Sequence, residues 1–290
     1  MAAPLVSVVM AAYNHESFVL EAVDSVLSQQ GVDLELLVED DASSDQTAAL
    51  LETIRDPRVK VVAKQVNEGA YATHNSLLRR ATGEFVAVIN SDDVWLGRDK
   101  LAYQIDILRS DERIGASFGQ PAYIGPAGEP LGKDSTFSGR IFEQPNRPQA
   151  QWLRHFFQTG NCLCHPTVVI RRECHDRLGP YDNRLRQIAD YDMWVRVIKH
   201  WNIHNSDREL VAFRVVSGGN TSWPSERNTR RLRNEEYLTA KRLLDQVPMQ
   251  LMREAFGDVL IAPEITSAAQ LEVEKALLYF RSEGGLRPLY

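Results

Sequence analysis

The stretch LELLVEDD, residues 34–41, joins a run of apolar, β-favouring residues to three consecutive carboxylates. Residues 34–38 have the composition of a strand that is buried on both faces. The acids Glu39, Asp40 and Asp41 follow at its carboxyl end. Charged groups are costly to bury without partners, so a strand that ends in this way indicates either a capped turn or a functional site.

Similar strands alternate with amphipathic helices on both sides of this stretch. The predicted strands cover residues 5–10, 34–38, 59–62 and 85–89, and the predicted helices cover 18–27, 45–54 and 70–81. Alternation at this rhythm is typical of βαβ units. It predicts an α/β fold with a mostly parallel, Rossmann-like sheet that is flanked by helices.

The second part of the chain is less regular. Residues 119–148 hold five of the 13 prolines and five of the 17 glycines. This composition predicts a loop-rich connection that is mobile over a site. Further strands are predicted at 166–170 and 210–216, and a helix at 190–200. From Glu226 onward the pattern is helical and charged, with another helix over 264–281, which predicts a helical appendage outside the sheet.

Composition excludes several classes of protein. The 290 residues are 43% hydrophobic and 25% charged, values of an ordinary soluble globular chain, and the net charge of -6 argues against a nucleic-acid binder that works by bulk charge. No apolar run approaches the ~20 residues that span a bilayer. Three cysteines and a start without a basic and apolar leader favour a cytoplasmic location.

Polar residues follow three of the predicted strands at one edge of the sheet. Asn14 lies beyond the first strand, the acids 39–41 follow the second, and Ser91-Asp92-Asp93 follow the fourth. Capping of the next helix or turn would explain either acidic cluster alone. Two clusters at one edge favour a nucleotide and metal site, because a carboxylate accepts the N–H of a uracil or thymine base and a hard divalent cation takes oxygen ligands.

Five motifs in order resemble family 2 nucleotide-sugar glycosyltransferases with the GT-A fold. They are Val6–Asn14, Val38–Thr47, Asn67-Glu68-Gly69 with Asn75, Ala81–Phe85 running into Asn90–Trp95, and Asp190–Arg196. The resemblance covers about residues 4–223. It departs from the family pattern at Asn90 and Ala42, where Asp and Gly are usual, and at Ala189 and Val216, where an acid and a His are frequent.

The resemblance implies an inverting, metal-dependent transfer of a sugar from a UDP- or dTDP-sugar. Of the two acids at the start of the 190–200 helix, it favours Asp190 as the general base, with Asp192 as a structural partner of Arg196. It implies that Asp92 contacts a Mn²⁺ or Mg²⁺ ion. The residues expected to contact the nucleotide are Ala11, Tyr13, Asp41, Asn67, Asn75 and Ser91, and Asn90, Asp93, Trp95 and Asp192 are expected to support the site.

The same resemblance predicts the domain organisation. Residues 1–224 would form the GT-A domain, with a nucleotide-binding half to about 120 and an acceptor half over about 121–224, and 225–290 would form a helical C-terminal region. An apolar stripe in that region is expected to cover the core; its residues are Ile265, Ala269, Val273, Ala276, Leu277 and Phe280.

The implied partners are a nucleotide-sugar donor and a glycan or lipid-linked acceptor, as in bacterial surface polysaccharide synthesis. Peripheral contact with the inner face of the membrane stays open, and no nucleic acid is expected. A sugar-phosphate nucleotidyltransferase would need a Gly-rich basic loop after the first strand, which residues 11–16 lack. A nucleotide-sugar binding module with little turnover is the other alternative, and Asn90 and Ala189 favour it.

Overall fold

The computed structural model describes residues 4–136, 138–216 and 223–281. Its first part is a regular alternation of strands and helices, which confirms the predicted βαβ pattern. The elements are β1 (Val6–Ala12), α1 (Val19–Leu27), β2 (Leu34–Asp40), α2 (Thr47–Leu51), β3 (Val59–Ala63), α3 (Ala70–Arg80) and β4 (Phe85–Val88). These four strands are parallel, in the order β3-β2-β1-β4.

Burial on both faces explains why β1, β4 and residues 36–38 of β2 are mostly apolar, while the buried Glu35 of β2 is paired with Lys60 at 2.7 Å. Every residue of β2 and β4 is buried, and β1 pairs with both strands from Val6 onward. Alternate residues of β1 belong to two apolar clusters on opposite faces, with Val9 in one and Val8 in the other. A sheet covered on both faces brings its carboxyl ends together at one open edge.

The second part of the chain extends the same sheet with mixed strands. It contains β5 (Val94–Trp95), α4 (Lys100–Ser110), β6 (Ile114–Ile124), β7 (Pro130–Leu131), α5 (Gln149–Thr159), β8 (Val169–Arg171), α6 (Arg172–Leu178), α7 (Ala189–Ile198) and β9 (Asn202–Arg214). In the described residues nine strands form one sheet, which continues from β4 as β8-β6-β9-β5, while β7 pairs with β6. β8 is antiparallel to both neighbours.

The structure corrects several boundaries predicted from the sequence. The predicted loop over 119–148 begins with the last half of β6, and three helices, α4, α5 and α6, were not predicted. β9 starts at Asn202, eight residues before the predicted strand. Its first half is polar, and Asn205 there is buried because its side chain donates to the carbonyl of Gln144 at 2.6 Å.

The helical character predicted from Glu226 onward is confirmed, with α8 (Glu226–Leu243) and α10 (Ala268–Arg281), while α9 (Met249–Phe256) between them was not predicted separately. The predicted role of the apolar stripe on α10 is wrong in part. Ile265 is buried, whereas Val273 is 57% and Phe280 87% exposed, and Leu271 and Leu278 face the core instead. Within the described ranges, none of the helices combines the length and apolar character that a membrane span requires.

The C-terminal helices share an apolar core with the second half of the sheet. Leu243 of α8 and Phe256 of α9 belong to the same cluster as Trp152 of α5 and Trp194 of α7. The division of the chain at residue 224 stays a prediction, and the packing joins the two sides of that boundary.

Candidate active site

A cleft of about 740 Å³ opens at the carboxyl ends of β1, β2 and β4. One wall comes from these strand ends and the start of α3. The opposite wall comes from the segment before α7 and from the first half of α8, and the connection after β7 contributes Ser138, Ile141 and Phe142. The cleft therefore lies where an α/β sheet of this topology binds ligands.

Asp41 lies at the bottom of the strand-end wall and is held by the start of α3. Its two carboxylate oxygens accept the backbone N–H groups of Glu68 at 2.9 Å and Gly69 at 2.8 Å. Asn67 donates to the Asp41 carbonyl at 3.0 Å. Gly69 has φ of 93°, a left-handed conformation that favours glycine at this turn. Asp41 is only 2% exposed, yet it lines the cleft.

Lys64 neutralises the acids that follow β2. Its ammonium group lies 3.1 Å from Glu39, 2.6 Å from Glu68 and 3.6 Å from Asp41. These contacts explain how the fold tolerates the acidic cluster at the end of β2.

Three further residues expected at the nucleotide line the same wall. Ala11 and Ser91 lie at the ends of β1 and β4, and Tyr13 is 46% exposed. The Ser91 hydroxyl lies 2.8 Å from Nδ1 of His15. Asn75 is not among the residues that line the cleft, since its amide exchanges two hydrogen bonds with the backbone of Tyr181, at 2.8 and 2.9 Å.

The turn after β4 presents Asp92 to the cleft. Its carboxylate lies 3.8 Å from Nε2 of His15. Burial raises the pKa of Asp92, and the nearby His15 and Arg214 oppose that shift. Asp93 points away: it accepts the Arg214 N–H at 2.8 Å and the Asn90 amide at 2.8 Å, and burial together with the Asp92 charge raises its pKa well above the usual range.

Arg214, at the end of β9, holds this turn in place. The buried guanidinium donates to the Asp92 carbonyl at 2.8 Å and to Glu21 at 2.6 Å. It also stacks 4.7 Å from the ring centre of Phe18. Such charge-assisted bonds fix the backbone that carries Asp92.

Trp95, which is expected from the sequence to support the site, is not among the residues that line the cleft. It is 4% exposed, its indole N–H donates to the Pro166 carbonyl at 3.3 Å, and the buried Lys100 ammonium lies 4.1 Å from its ring centre. Its side chain therefore packs in the interior beside the turn after β4.

Asp190 occupies the first turn of α7 and faces the cleft from the opposite wall. Asn161 donates to one carboxylate oxygen at 3.0 Å, and the Tyr71 hydroxyl lies 3.4 Å from the other. Burial raises the pKa of Asp190 to about 6, although the Tyr191 N–H, Asn161 and Tyr71 oppose the shift. A carboxyl group with such a pKa is suited to general-base work near neutral pH.

Uncharged aromatic side chains pack on the interior side of Asp190. His165 lies 3.1 Å from the Tyr181 hydroxyl, and its ring packs 5.5 Å from that of His74. Burial lowers the pKa of His74 to about 4 and that of His165 well below the usual range. These imidazoles are therefore uncharged at neutral pH and stabilise no anion by charge.

Asp192 lies outside the cleft, in a separate small pocket of about 210 Å³. Arg196 donates to it at 2.9 Å, as the spacing of four residues predicted, and Arg242 lies 3.7 Å away.

Sequence reasoning missed four residues that build the cleft: His15, Tyr71, Asn161 and Glu235. Glu235 of α8 is buried, and its carboxylate accepts the backbone N–H groups of Arg186, Gln187 and Ile188 at 2.9, 2.8 and 3.2 Å. It thereby anchors the segment that leads into Asp190. Only His15 carried a signal, as the residue directly after the first motif.

Comparison with known proteins identifies the family. The model of Glycosyl transferase family 2 matches residues 7–179. The chain is 31% identical over 199 residues to the UDP-Glc:alpha-D-GlcNAc-diphosphoundecaprenol beta-1,3-glucosyltransferase WfgD of Escherichia coli, covering 69% of this chain and 72% of that protein. It is 36% identical over 231 residues to the putative teichuronic acid biosynthesis glycosyltransferase TuaG of Bacillus subtilis, covering 78% of this chain and 86% of that protein.

Solved structures agree on the fold. The mannosyltransferase PcManGT from Pyrobaculum calidifontis, solved with GDP-Man and Mn²⁺, aligns with a TM-score of 0.62 and 20% identity over 97% of this chain and 82% of that one. This likeness confirms the GT-A type fold that the motifs predicted. The chain belongs to the family 2 glycosyltransferases, and its relatives act in bacterial surface polysaccharide synthesis.

Proposed function

We propose that this glycosyltransferase is inverting and metal-dependent, and that it moves a sugar from a UDP- or dTDP-sugar to a glycan or lipid-linked acceptor. The observation that carries the proposal is the position of Asp92 and Asp190, which line one cleft from two different halves of the chain. A diphosphate at the first and an acceptor hydroxyl at the second would lie on opposite sides of the transferred sugar.

Asp41 is suited to accept the N–H of a uracil or thymine base. Each of its oxygens already accepts one backbone N–H, and an ionised carboxylate offers about four lone-pair sites in all. The exposed ring of Tyr13 is available to stack on the base. Ala11, Asn67 and Ser91 line the wall beside it and are proposed to contact the nucleoside.

The residues around Asp92 fit a divalent cation that is shared with the donor. No group of three His, Cys, Asp or Glu side chains able to hold a metal occurs within residues 4–136, 138–216 and 223–281. Magnesium is commonly held by one or two carboxylates together with substrate phosphates. Asp92 supplies such a carboxylate, and the Asn90 amide nitrogen is engaged by Asp93, which leaves the Asn90 oxygen available.

A bound Mn²⁺ or Mg²⁺ would neutralise the charge that develops on the leaving diphosphate. The structural neighbour solved with GDP-Man and Mn²⁺ supports this part of the proposal. Arg214 is proposed to keep the Asp92 turn rigid, because its contacts are to backbone carbonyls and to a carboxylate on α1.

Asp190 is proposed as the general base that takes the proton from the acceptor hydroxyl. With a pKa of about 6 it is mostly ionised at neutral pH and remains basic enough to accept a proton. Attack by that hydroxyl from the face opposite the diphosphate reverses the anomeric configuration. The acceptor named for the relative WfgD, a sugar on diphosphoundecaprenol, supports a lipid-linked acceptor and a reaction at the inner face of the membrane.

A transfer assay with and without Mn²⁺ tests the proposal against a binding module without turnover. A thermal-shift panel of UDP-, dTDP- and GDP-sugars first selects the donor, and NMR then reads the anomeric configuration of the product. Stabilisation by a donor without transfer or hydrolysis would favour the binding module, and a retained configuration would exclude a single displacement.

A further inference from the structure

Arg186 and Arg231 are the permanently charged cations among the described residues that line the cleft. The strand-end wall carries acids instead, namely Asp41, Glu68 and Asp92. Both arginines lie on the wall that also presents Asp190 and Glu236, whereas no arginine or lysine among the described residues lines the strand-end wall.

Neither guanidinium has a hydrogen bond or an ion pair within the described ranges of the chain. Two arginines close by in the sequence are paired, since Arg184 lies 2.6 Å from Asp182 and Arg230 lies 3.0 Å from Glu226. Arg227 and Arg233 of α8 have no ion pair among the described residues, but they do not line the cleft. Two unpaired guanidinium groups on one wall of a cleft form a site for an anion, because the planar fork of arginine binds phosphate and carboxylate oxygens in pairs.

The start of α8 has more positive charge than a helix start favours. Its N-cap, Ser225, accepts the Asn228 N–H at 3.1 Å, and the next eight residues hold one acid against four arginines, at 227, 230, 231 and 233. Cations near a helix N-terminus are disfavoured by the helix dipole. An anionic ligand at this end of α8 would offset that cost.

Glu235 connects both arginines to the catalytic segment. Arg231 precedes Glu235 by four residues, so the two side chains lie on one face of α8. The Glu235 carboxylate holds the backbone of Arg186, Gln187 and Ile188, directly before α7. Arg186 and Arg231 thus flank the segment that leads into Asp190, on the acceptor side.

We propose that Arg186 and Arg231 bind a phosphate group of the acceptor, so that the acceptor is a sugar carried on a phosphate or diphosphate. The inference rests on the proposed function, since it takes Asp190 to mark the acceptor side. A phosphate beyond the sugar would be gripped by the two guanidinium groups while the sugar hydroxyl faces the base. Binding of the acceptor would then depend more on its phosphate linkage than on the group that this phosphate joins to the sugar.

Calorimetric binding of two probes in the presence of UDP and Mn²⁺ tests this directly. One probe is N-acetylglucosamine linked through diphosphate to a short prenyl chain, and the other is the uncharged octyl glycoside of the same sugar. Wild-type protein should bind the diphosphate probe at least about tenfold more tightly. Arg186→Gln and Arg231→Gln should each weaken that binding about 10- to 100-fold and leave the octyl glycoside unchanged. Arg230→Gln, whose native partner is Glu226, is the matched control on the same helix and should change neither.

Equal binding of the two probes by the wild type, or binding of neither, would overturn the proposal. Weakened binding of the UDP-sugar in the two arginine variants, with acceptor binding unchanged, would overturn it as well and assign the arginines to the donor diphosphate. Hydrolysis of the UDP-sugar by the wild type without acceptor tests the proposed function separately. Failure of the proposed arginine site can therefore be distinguished from failure of the proposed function.

Discussion

Replacement of Asp190 by asparagine is expected to stabilise the protein while it removes most of the turnover. Burial raises the pKa of Asp190 from 3.8 to about 6, so between these values the folded state holds a proton that the unfolded state has released. The stability contributed by this group must therefore fall as the pH rises through that window. This difference in the pKa of Asp190 corresponds to a loss of about 3 kcal/mol in the free energy of unfolding at neutral pH. Asparagine carries no charge and avoids this cost.

The surrounding hydrogen bonds can accept the substitution. The Asn161 oxygen accepts the Leu163 N–H at 3.3 Å, which fixes the Asn161 amide nitrogen toward residue 190. The oxygen of the new amide can take the place of the carboxylate oxygen there. Its nitrogen would then face the Tyr71 hydroxyl, whose oxygen is able to accept. Weaker, uncharged bonds would offset part of the gain in stability.

Urea unfolding of the wild type and Asp190→Asn from about pH 4 to about pH 8 measures the effect. The two proteins should be equally stable near pH 4, diverge up to about pH 6, and stay apart above it. The variant should bind the donor normally and lose about 10²- to 10⁴-fold in turnover, and wild-type turnover should rise with pH through about 6.

Asp192→Asn is the matched control on the same helix. It breaks the ion pair with Arg196 outside the cleft, so it should lose stability at neutral pH and keep more of the turnover. A stability difference between wild type and Asp190→Asn that did not change with pH would refute the buried-charge argument. If Asp192→Asn proved inactive and Asp190→Asn active, the assignment of Asp190 as the general base would be wrong.

Four further substitutions probe the same cleft. Asp92→Asn should abolish the Mn²⁺-dependent gain in UDP affinity, measured by calorimetry with and without the ion; an unchanged gain would rule out Asp92 as the ligand. Asp41→Ala should weaken UDP binding by about 1–3 kcal/mol in the same titration, once circular dichroism has shown a folded protein, and equal affinity would remove Asp41 from the base pocket. Glu235→Ala should lower the free energy of unfolding by about 1–3 kcal/mol, with Glu235→Gln less affected, because three backbone N–H groups lose their acceptor; unchanged urea curves would contradict this. Ala42→Gly should raise stability by up to about 1 kcal/mol in a thermal melt, since Ala42 has φ of 60°, and no gain would mean that this backbone is unstrained.

The first half of the fold was predictable because its signals are local. Strands β1, β2 and β4 are buried on both faces and are mostly apolar, apart from Ser7, Glu35 and the acids that end β2, and helices with one apolar face separate them. The first half of β9 gave no such signal. Asn205 and Ser206 there are buried, and their partners, the Gln144 carbonyl and the Tyr103 hydroxyl, lie far away in the sequence, so no local pattern reports them.

The same distinction applies to the candidate site. Strand ends place Asp41 and Asp92 by position alone, so the sequence could predict that they meet at one edge. Trp95 and Asn75 belong to the quoted motifs, but their side chains bond inside the protein, to the carbonyls of Pro166 and Tyr181. Sequence neighbourhood does not reveal side-chain direction once a chain leaves the sheet.

The residues that reasoning from sequence could not find are those that join distant segments. Arg214 ties the end of β9 to the turn that carries Asp92, more than 100 residues earlier. Glu235 ties α8 to the segment before Asp190, almost 50 residues earlier. Both contacts are made by buried side-chain charges to backbone groups, so each is strong only when the distant segment is already in place. The two walls of the cleft are therefore held by the last third of the chain, so α8 helps to build the cleft even though it contains none of the five motifs.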